Sequence, residues 1–389
     1  MSEWTETNLG FVSEKIGSGA TPRGGSNAYI EAGISLIRSQ NILDFQFSTN
    51  GLAYIDDDQA EELNNVTVEE NDVLLNITGD SVARCCVVPN SVLPARVNQH
   101  VAIIRLNPKK AIYSFIFYLL QSMKEELLMQ SEIGATRRAL TKGMIEGLNI
   151  QLPPLPEQKS IATVLTSLDD KIDLLHRQNK TLEAMAETLF RQWFVEEAKE
   201  EWEQGCLENV SEQIRNAVKP SDIQADSKYI GLEHIDRRNI ALKQYGRGDD
   251  VSSNKYAFER RDILFGKLRP YFHKVCFTPF SGICSTDILV IRPKRPEWLA
   301  FCLFAFFQND AVEFANLGSG GTRMPRTDWN ALKKYPIAIP DVETLNRFNM
   351  LVLPSIEKIT CNLQQILTLE NLRDNLLPKL MSGEVRVTA

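Results

Sequence analysis

The feature that most constrains the fold of this chain of 389 residues is that the sequence repeats itself. Trp4 and Trp202 open similar stretches, and each is followed eight residues later by the triplet Val-Ser-Glu. Further matches follow in the same order, pairing Asn71–Leu74 with Arg261–Leu264, Gly134–Arg137 with Gly320–Arg323, and Leu182-Glu183 with Leu369-Glu370. Matches in one consistent order indicate two tandem copies of one unit. The fold must therefore be one that the chain forms twice.

The first part of each copy has the pattern of a domain that mixes strands and helices. Short β-branched runs bounded by Gly, Pro or Asn predict strands, and longer apolar stretches predict helices. The predicted strands include 34–37, 72–77, 100–105 and 287–291, and the predicted helical stretches are 111–128 and 296–314. Each copy is therefore expected to begin with an α/β domain that has a mostly mixed sheet.

A long helix is predicted to follow each domain. The prolines at 153–156 mark a boundary, and the segment from Glu157 to about Ala198 contains no Pro or Gly. Its apolar residues are spaced alternately three and four apart, which is typical of a coiled-coil seam, and the pattern recurs less purely over 344–381. The residues predicted to form this seam and the partner surfaces are Leu165, Leu168, Ile172, Leu175, Asn179, Leu182, Leu189, Trp193, Ile359, Ile366, Leu369 and Leu376.

Asn179 occupies an interior slot of this seam, where two interpretations remain open. A buried Asn there costs stability and fixes register or partner, whereas an exposed one faces water or a loop. Two long helices with matching seams in one chain most simply pack on each other. The sequence therefore predicts an α/β (α+β) tandem repeat whose two domains are separated by two long antiparallel, coiled-coil-like helices with pseudo-twofold symmetry.

The predicted boundaries are a first domain at 1–152, a central spacer helix at 153–200, a second domain at 201–340, and a distal spacer helix with a C-terminal tail at 341–389. The net charge of −7 is unevenly distributed, because residues 206–340 carry 20 Lys and Arg against 15 Asp and Glu while the other stretches are acidic. Any nucleic-acid surface outside the basic block must therefore be local.

Several classes of protein are disfavoured by what the sequence lacks. No apolar run approaches the ~20 residues of a membrane span, and no secretory signal is visible at the start. The seven cysteines form no framework, so we expect a cytoplasmic protein with reduced thiols and no metal site. No P-loop, methyltransferase Asn/Asp-Pro-Pro-Tyr/Phe element, HExxH or GxSxG motif is found. We expect no catalytic residues, and acidic runs such as Asp56–Asp58 are interpreted as solvated faces.

Loops that combine Gly, Thr or Ser, and Arg suggest binding to nucleic acid. They are Gly17–Gly25 and Ile133–Lys142 in the first copy and Gly318–Thr327 in the second. Glycine lets the backbone approach a phosphate, and Arg presents a fork of donors that fits phosphate or guanine. Gly266–Lys274 interleaves basic and aromatic residues, as a hairpin that contacts phosphates and bases does, and 78–84 is its less basic counterpart.

Ordinary glycine-rich turns with solvated Arg, or a strand with an exposed basic face, remain the structural alternatives for these segments. Recurrence of the loop in both copies favours a functional role. Because the loop residues differ between the copies, we expect two domains that share a backbone arrangement but contact their ligands with different side chains. The candidate DNA-binding residues are Thr21, Arg23, Arg38, Arg84, Thr136, Arg137, Arg138, Lys142, Lys219, Lys267, Arg269, Lys274, Thr322, Arg323 and Arg326.

The chain resembles the specificity subunits of Type I restriction-modification systems. The resemblance rests on Leu-Pro-Pro-Leu-Pro-Glu-Gln-Lys-Ser-Ile-Ala at 152–162, Leu-Phe-Arg-Gln-Trp-Phe at 189–194 and Leu-Leu-Pro-Lys-Leu-Met-Ser-Gly-Glu-Val-Arg-Val at 376–387. The distal helix departs from this pattern, since 339–344 reads Ile-Pro-Asp-Val-Glu-Thr. The two partner surfaces are therefore expected to be unequal.

The resemblance implies a subunit without catalytic activity, with two target-recognition domains that each read one half of a bipartite, asymmetric site in double-stranded DNA. It implies helices that recruit two modification (methyltransferase) subunits, together with restriction subunits that cut DNA. S-adenosylmethionine, ATP and Mg²⁺ would belong to those partners, and no cofactor to this chain. The alternative is a non-catalytic coiled-coil scaffold whose two heads bind protein.

Overall fold

The computed structural model describes residues 4–132, 138–320 and 324–387, and the chain divides into two compact units. Unit 1 comprises 1–172 and 368–389, and unit 2 comprises 173–367. Each unit therefore holds one predicted α/β domain together with part of each long helix. The boundaries predicted from sequence treat the two long helices as segments separate from the domains. In the division by compactness, each unit includes the part of each helix that packs on its domain.

Among its described residues, unit 1 combines ten strands with helices packed against them. Its strands are β1 (Thr5–Asn8), β2 (Ser13–Ser18), β3 (Ile34–Ile37), β4 (Ala53–Ile55), β5 (Thr67–Val68), β6 (Val73–Asn76), β7 (Cys85–Val87), β8 (Ala95–Val97), β9 (Val101–Leu106) and β10 (Asn149–Leu152). Its helices are α1 (Leu9–Val12), α2 (Asp57–Glu62), α3 (Tyr113–Ser122), α4 (Lys124–Glu132), α5 (Lys142–Glu146) and the first part of α6 (Leu155–Arg191).

The core of unit 1 lies on both faces of one antiparallel sheet, whose strand order is β2-β9-β6-β7. Val73 and Leu75 of β6 pack in the cluster that contains α3, whereas Leu74 packs in the cluster that contains the second sheet. This burial on both faces explains why β6 is a continuous apolar run rather than an alternating one. The second sheet, β4-β3-β8-β5, contains one parallel pair, β3 with β8.

Unit 2 repeats this plan with one additional strand. Its strands are β11 (Glu203–Cys206), β12 (Ser211–Ile214), β13 (Asn216–Val218), β14 (Lys228–Ile230), β15 (Gly246–Arg247), β16 (Lys255–Phe258), β17 (Ile263–Gly266), β18 (Val275–Phe277), β19 (Gly282–Cys284), β20 (Ile288–Pro293) and β21 (Pro336–Ile339). Its helices are α7 (Leu207–Val210), α8 (Leu299–Phe307), α9 (Asn309–Leu317), α10 (Trp329–Leu332), the second part of α6 and most of α11 (Val342–Met381).

Apart from the additional strand β13, the sheets of unit 2 match those of unit 1 strand for strand. The antiparallel sheet has the order β12-β20-β17-β18, and the second sheet, β13-β16-β19-β14-β15, again has one parallel pair, β14 with β19. In both units a two-stranded ribbon, β1 with β10 or β11 with β21, joins the start of the domain to its end. The predicted α/β (α+β) tandem fold is therefore confirmed, with sheets that are mainly antiparallel.

A buried ion pair recurs at the same place in both units. In unit 1, Arg105 donates through Nε and Nη2 to the two carboxylate oxygens of the fully buried Asp72, each at 2.8 Å. In unit 2, Arg292 donates to Asp262 at 2.7 and 2.8 Å. The pairing raises the pKa of both arginines. The tandem repeat is thus preserved in side-chain chemistry as well as in strand order.

The two long helices run antiparallel within unit 2. Residue 179 of α6 meets residue 362 of α11, while residue 190 packs against residue 348. The α6 helix is followed by a π-helical turn at Gln192–Glu196. Near this end α6 buries Ala186, Phe190 and Phe194, whereas the predicted seam residues Leu189 and Trp193 lie half-buried beside them. Of the other predicted seam residues, Leu165, Ile172, Leu175, Asn179, Ile359 and Ile366 are buried, and Leu168, Leu182, Leu369 and Leu376 are half-buried.

Asn179 is buried, which resolves the alternative left open by the sequence. Its Oδ1 accepts a hydrogen bond from Nδ2 of Asn362 at 2.8 Å, and the same Nδ2 donates to Oε1 of Gln178. Within the described residues, Nδ2 of Asn179 and Oδ1 of Asn362 have no hydrogen-bond partner. The pair is therefore polar and buried, and half of its hydrogen-bonding groups lack a partner. Such a pair fixes the register of two helices at a cost in stability.

Replacing both asparagines by leucine is expected to leave the protein as stable as it is or make it more stable. The single change Asn362→Leu should destabilise it by about 1–3 kcal/mol, because it leaves the polar side chain of Asn179 buried without a partner. The double variant removes both buried amides. Thermal melting of the two variants and the wild type makes the comparison, and a double variant less stable than the single one would contradict this account.

No helix among the described ranges has an apolar stretch long enough to cross a bilayer.

Candidate nucleic-acid interface

In unit 1 the loop before α5 lies against the connection between β6 and β7. The backbone N–H of Gly79 donates to the carbonyl of Arg138 at 3.1 Å, and the N–H of Leu140 donates to the carbonyl of Ile77 at 2.9 Å. The N–H of Ile77 in turn donates to the carbonyl of His100, just before β9, at 3.0 Å. Three segments that are distant in sequence therefore meet at one edge of the domain.

Unit 2 makes the same three backbone bonds. Arg269 donates to Pro325 at 2.7 Å, Thr327 donates to Lys267 at 3.1 Å, and Lys267 donates to Asp287 at 2.8 Å. Each bond has its counterpart at the equivalent position of unit 1. In both units the structure thus brings together the described part of the predicted loop and the hairpin segment that the sequence indicated separately. We call these two assemblies the loop–hairpin sites of units 1 and 2.

Four of the predicted residues, Thr136, Arg137, Thr322 and Arg323, lie outside the described residues, so each site is described by the residues around them.

The loop–hairpin site of unit 1 contains a groove with a chain of polar side chains. Its lining residues are Ser39, Gln40, Thr78, Gly79, Asp80, Ser81, Arg84 and His100. The hydroxyl of Thr21 lies 2.6 Å from Oε1 of Gln99, whose Nε2 lies 3.1 Å from Nε2 of His100. The Nδ1 atom of His100 is 2.6 Å from the hydroxyl of Thr78. A Gln99 amide that accepts from Thr21 donates to Nε2 of His100, so the network assigns the ring proton to Nδ1.

Among the basic candidates of unit 1, Arg84 is distinguished by its lack of a partner. It lies in the groove, and within the described residues its guanidinium makes no hydrogen bond or ion pair. Arg38 instead donates to the carbonyl of Gly51 at 2.6 Å and lies over the ring of Tyr29. The remaining three make exposed ion pairs, Arg23 with Glu62, Arg138 with Glu132 and Lys142 with Glu146. Exposed pairs of this kind are weak and can exchange their carboxylate for a phosphate.

In unit 2 the candidates differ in how far they are available to a ligand. Arg326 is exposed and paired with Asp287, whereas Lys267 is half-buried, and that burial lowers its pKa. Arg269 has a left-handed backbone with φ 51° and lies 5.8 Å from the ring of Phe272. Lys274 donates from Nζ to the carbonyl of Leu232 at 2.5 Å, so its ammonium is held by the protein.

Lys219 lies exposed just beyond β13, which belongs to the other sheet of unit 2. No contact among the described residues joins it to the loop–hairpin site.

Residues that the sequence did not single out also line these sites. His100 and Gln99 precede β9, Asp287 precedes β20, and the guanidinium of Arg237 lies 3.8 Å from the ring of Phe272. His100 and Asp287 occupy equivalent positions, because each supplies the carbonyl that binds the hairpin. An alignment of the two copies of the repeat through their matching strands would have identified both residues.

Within the described ranges no group of three His, Cys, Asp or Glu side chains is arranged to hold a metal ion. Five of the seven cysteines are buried, and burial raises the pKa of Cys284 to about 12. A buried thiol with a raised pKa is a packing group and not a nucleophile.

Comparison with known proteins yields matches along both units. The family model described as Type I restriction modification DNA specificity domain matches residues 1–184 and again 199–366. The MjaIX specificity subunit of Methanocaldococcus jannaschii is 26% identical over 311 residues, covering 72% of this chain and 71% of that protein. The HindI specificity subunit of Haemophilus influenzae is 23% identical, covering 99% and 100%.

A crystal structure of the Type I restriction-modification S subunit from M. genitalium has a similar fold, with a TM-score of 0.62. It covers 100% of this chain and 97% of that one at 13% identity, which supports the fold alone. The family model, by contrast, matches twice in succession and spans most of the sequence. This chain therefore belongs to the Type I restriction modification DNA specificity family and carries two copies of its domain in tandem.

Proposed function

We propose that this chain is the DNA-recognition subunit of a Type I restriction-modification complex and that each unit reads one half of a bipartite, asymmetric site. The observation that carries the proposal is that the two loop–hairpin sites have the same backbone bonds but different side chains. Backbone frames position a protein on DNA, whereas side chains at base edges specify sequence. Two copies of one frame with different side chains suit two unlike half-sites.

The differences at equivalent positions are differences of hydrogen-bonding chemistry. Unit 1 has Thr78, Gly79, Arg84, His100 and Ala139 where unit 2 has Leu268, Arg269, Lys274, Asp287 and Arg326. A donor and acceptor ring in one unit is replaced by a carboxylate in the other, and an alanine by an arginine. Base edges in the major groove differ in their donors and acceptors, so these substitutions imply different bases.

The long helices are proposed to bind two modification subunits. Leu174 and Met185 on α6 and Met350 on α11 are large apolar side chains that are about half or more exposed. Exposed apolar residues on an otherwise packed helix pair suit association with another protein. In this proposal the partners, including the restriction subunits, hold S-adenosylmethionine, ATP and Mg²⁺ and perform the chemistry, while this chain supplies recognition. The net charge of −7 on this chain agrees with a complex in which the partner subunits supply part of the DNA-binding surface.

Exchanging residues 1–150 for those of a relative is expected to change one half of the recognised site and leave the other half unchanged. The donor should retain Trp at position 4, because its Nε1 donates to Glu157 Oε1 at 3.3 Å and joins the domain to α6. Mapping methylated bases in the genome of a host that expresses the chimera with the methyltransferase subunits gives the site. The reciprocal exchange of 201–340 is the control, and a change in both halves after either exchange would refute modular reading.

The scaffold alternative is tested by salt. Phosphate contacts release counterions, so binding of labelled duplex by the complex should weaken steeply between about 50 and 200 mM salt. Heads that bind protein and not DNA would give no such duplex complex.

A further inference from the structure

Arg326 of unit 2 is held at both its backbone and its side chain. Its N–H and carbonyl both bond to Gly320, at 3.1 and 3.2 Å, and the residue also bridges to Leu268 of the hairpin. Its Nε lies 3.4 Å from Oδ1 of Asp287, and its Nη2 lies 3.4 Å from Oδ2. The side chain is nevertheless 57% exposed. The guanidinium is therefore presented outward in an orientation set by one carboxylate.

The pairing leaves the donors that guanine requires. An arginine has five N–H groups. Asp287 accepts a hydrogen bond from one on Nη2, and its other carboxylate oxygen lies beside Nε. The second N–H of Nη2 and the two on Nη1 remain, and they lie at the outer end of the planar group. Two such donors match O6 and N7 of guanine at its major-groove edge, the commonest specific contact between a side chain and a base.

We infer that Arg326, positioned by Asp287, reads a guanine in the half-site recognised by unit 2. This inference rests on the proposed function and names the residue and the base. A phosphate is the less suitable ligand for this pair, because the carboxylate of Asp287 would lie beside a second negative charge. At a base edge the same carboxylate meets no such charge and accepts from the amino group of a neighbouring cytosine.

Unit 1 provides an internal contrast. The positions equivalent to Arg326 and Asp287 are occupied by Ala139 and His100, and His100 is engaged with Thr78 and Gln99. Guanine reading by a carboxylate-held arginine is therefore a property of unit 2 at this position and is not shared by unit 1.

The test measures binding of the complete complex, this chain with its methyltransferase subunits, to a duplex bearing its mapped site. Arg326→Ala is expected to lower the preference for guanine at one position of one half-site by roughly ten- to a hundredfold, as loss of a bidentate base contact does. Arg326→Lys keeps the charge but loses the fork, so it should lower the preference similarly. Replacing that guanine by 7-deazaguanine, which lacks N7, should weaken the wild type and leave Arg326→Ala unaffected.

Asp287 acts through Arg326, so the two substitutions should not add. Asp287→Ala should reduce the preference at the same base pair, and the double variant should be no worse than Arg326→Ala alone. Arg295→Ala removes another exposed positive charge of unit 2 and is the control for charge alone. It should leave base preference unchanged.

Uniform weakening on all sequences by Arg326→Ala would make Arg326 a phosphate contact and overturn the inference. Unchanged binding, or Arg326→Lys behaving as the wild type, would overturn it equally. In each of those outcomes the two-part site remains and the proposed function survives. If the wild-type complex instead shows no two-part site, the proposed function fails and the inference fails with it.

Discussion

Replacing Arg292 by methionine is expected to destabilise unit 2 by about 3–5 kcal/mol, because it leaves a buried carboxylate without its cation. Asp262 is 1% exposed and receives both of its short side-chain hydrogen bonds from Arg292. The backbone N–H of Glu259 donates to the same carboxylate but carries no charge to balance it. Urea unfolding combined with hydrogen exchange resolved by peptide measures the loss and assigns it to unit 2.

The repeat supplies a matched control for this prediction. Arg105→Met breaks the equivalent pair and should lower protection in unit 1 rather than in unit 2. Combining Arg292→Met with Asp262→Asn removes the uncompensated charge and should recover part of the lost stability. If the double variant is as unstable as Arg292→Met alone, the loss comes from packing and the buried charge is not its cause.

Phe348→Ala is expected to cost about 3–5 kcal/mol in unit 2, which is the range for deleting a fully buried aromatic side chain. Phe348 is 0% exposed, and its ring centroid lies 4.9 Å from that of Phe194 and 6.1 Å from those of Phe190 and Trp193. These contacts hold α11 against the end of α6 within the unit. Removal of the ring should therefore loosen that end of the helix pair first.

Met350→Ala is the control for the Phe348 substitution. It shortens a side chain two residues away that is 70% exposed, so it should change stability by no more than about 0.5 kcal/mol. Differential hydrogen exchange over α11 in the two variants measures the effect. Equal protection in both would show that the aromatic cluster does not anchor the helix.

Periodicity predicted the elements of this fold well where a single local pattern decides them. The strand predicted at 34–37 is β3, Ile34–Ile37, and the long helices begin and end near the predicted residues. The helical stretch at 111–128 is instead two helices, α3 and α4, with Met123 between them. No Pro or Gly marks that break, so neither periodicity nor a breaker residue predicts it.

Contacts between segments that are far apart in the chain could not be predicted from the sequence. The ion pair between Arg373 and Asp169, which are 204 positions apart, depends on how α6 and α11 align. Asn179 was a predicted seam residue, but its hydrogen bond with Asn362 depends on the same alignment. Lys274 was a candidate contact, yet the left-handed backbone of His273, with φ 51°, interrupts strand alternation, and the ammonium binds the carbonyl of Leu232. Such turns change the direction of a side chain without leaving a periodic signal.

The residues that hold the fold together are different from the exposed residues proposed to contact DNA, and this difference affects how such a chain evolves. The buried pairs Asp72–Arg105 and Asp262–Arg292 hold the frame, whereas Arg84 and Arg326 project from it partly or mostly exposed. Substitutions at exposed positions usually change stability by less than about 0.5 kcal/mol. Under the proposed function, mutations at these exposed positions are therefore expected to be nearly neutral for folding while they alter which DNA sequence is bound. If each unit reads one half-site as proposed, lineages of this protein can change their sequence preference without passing through unfolded intermediates, and each unit can change independently of the other.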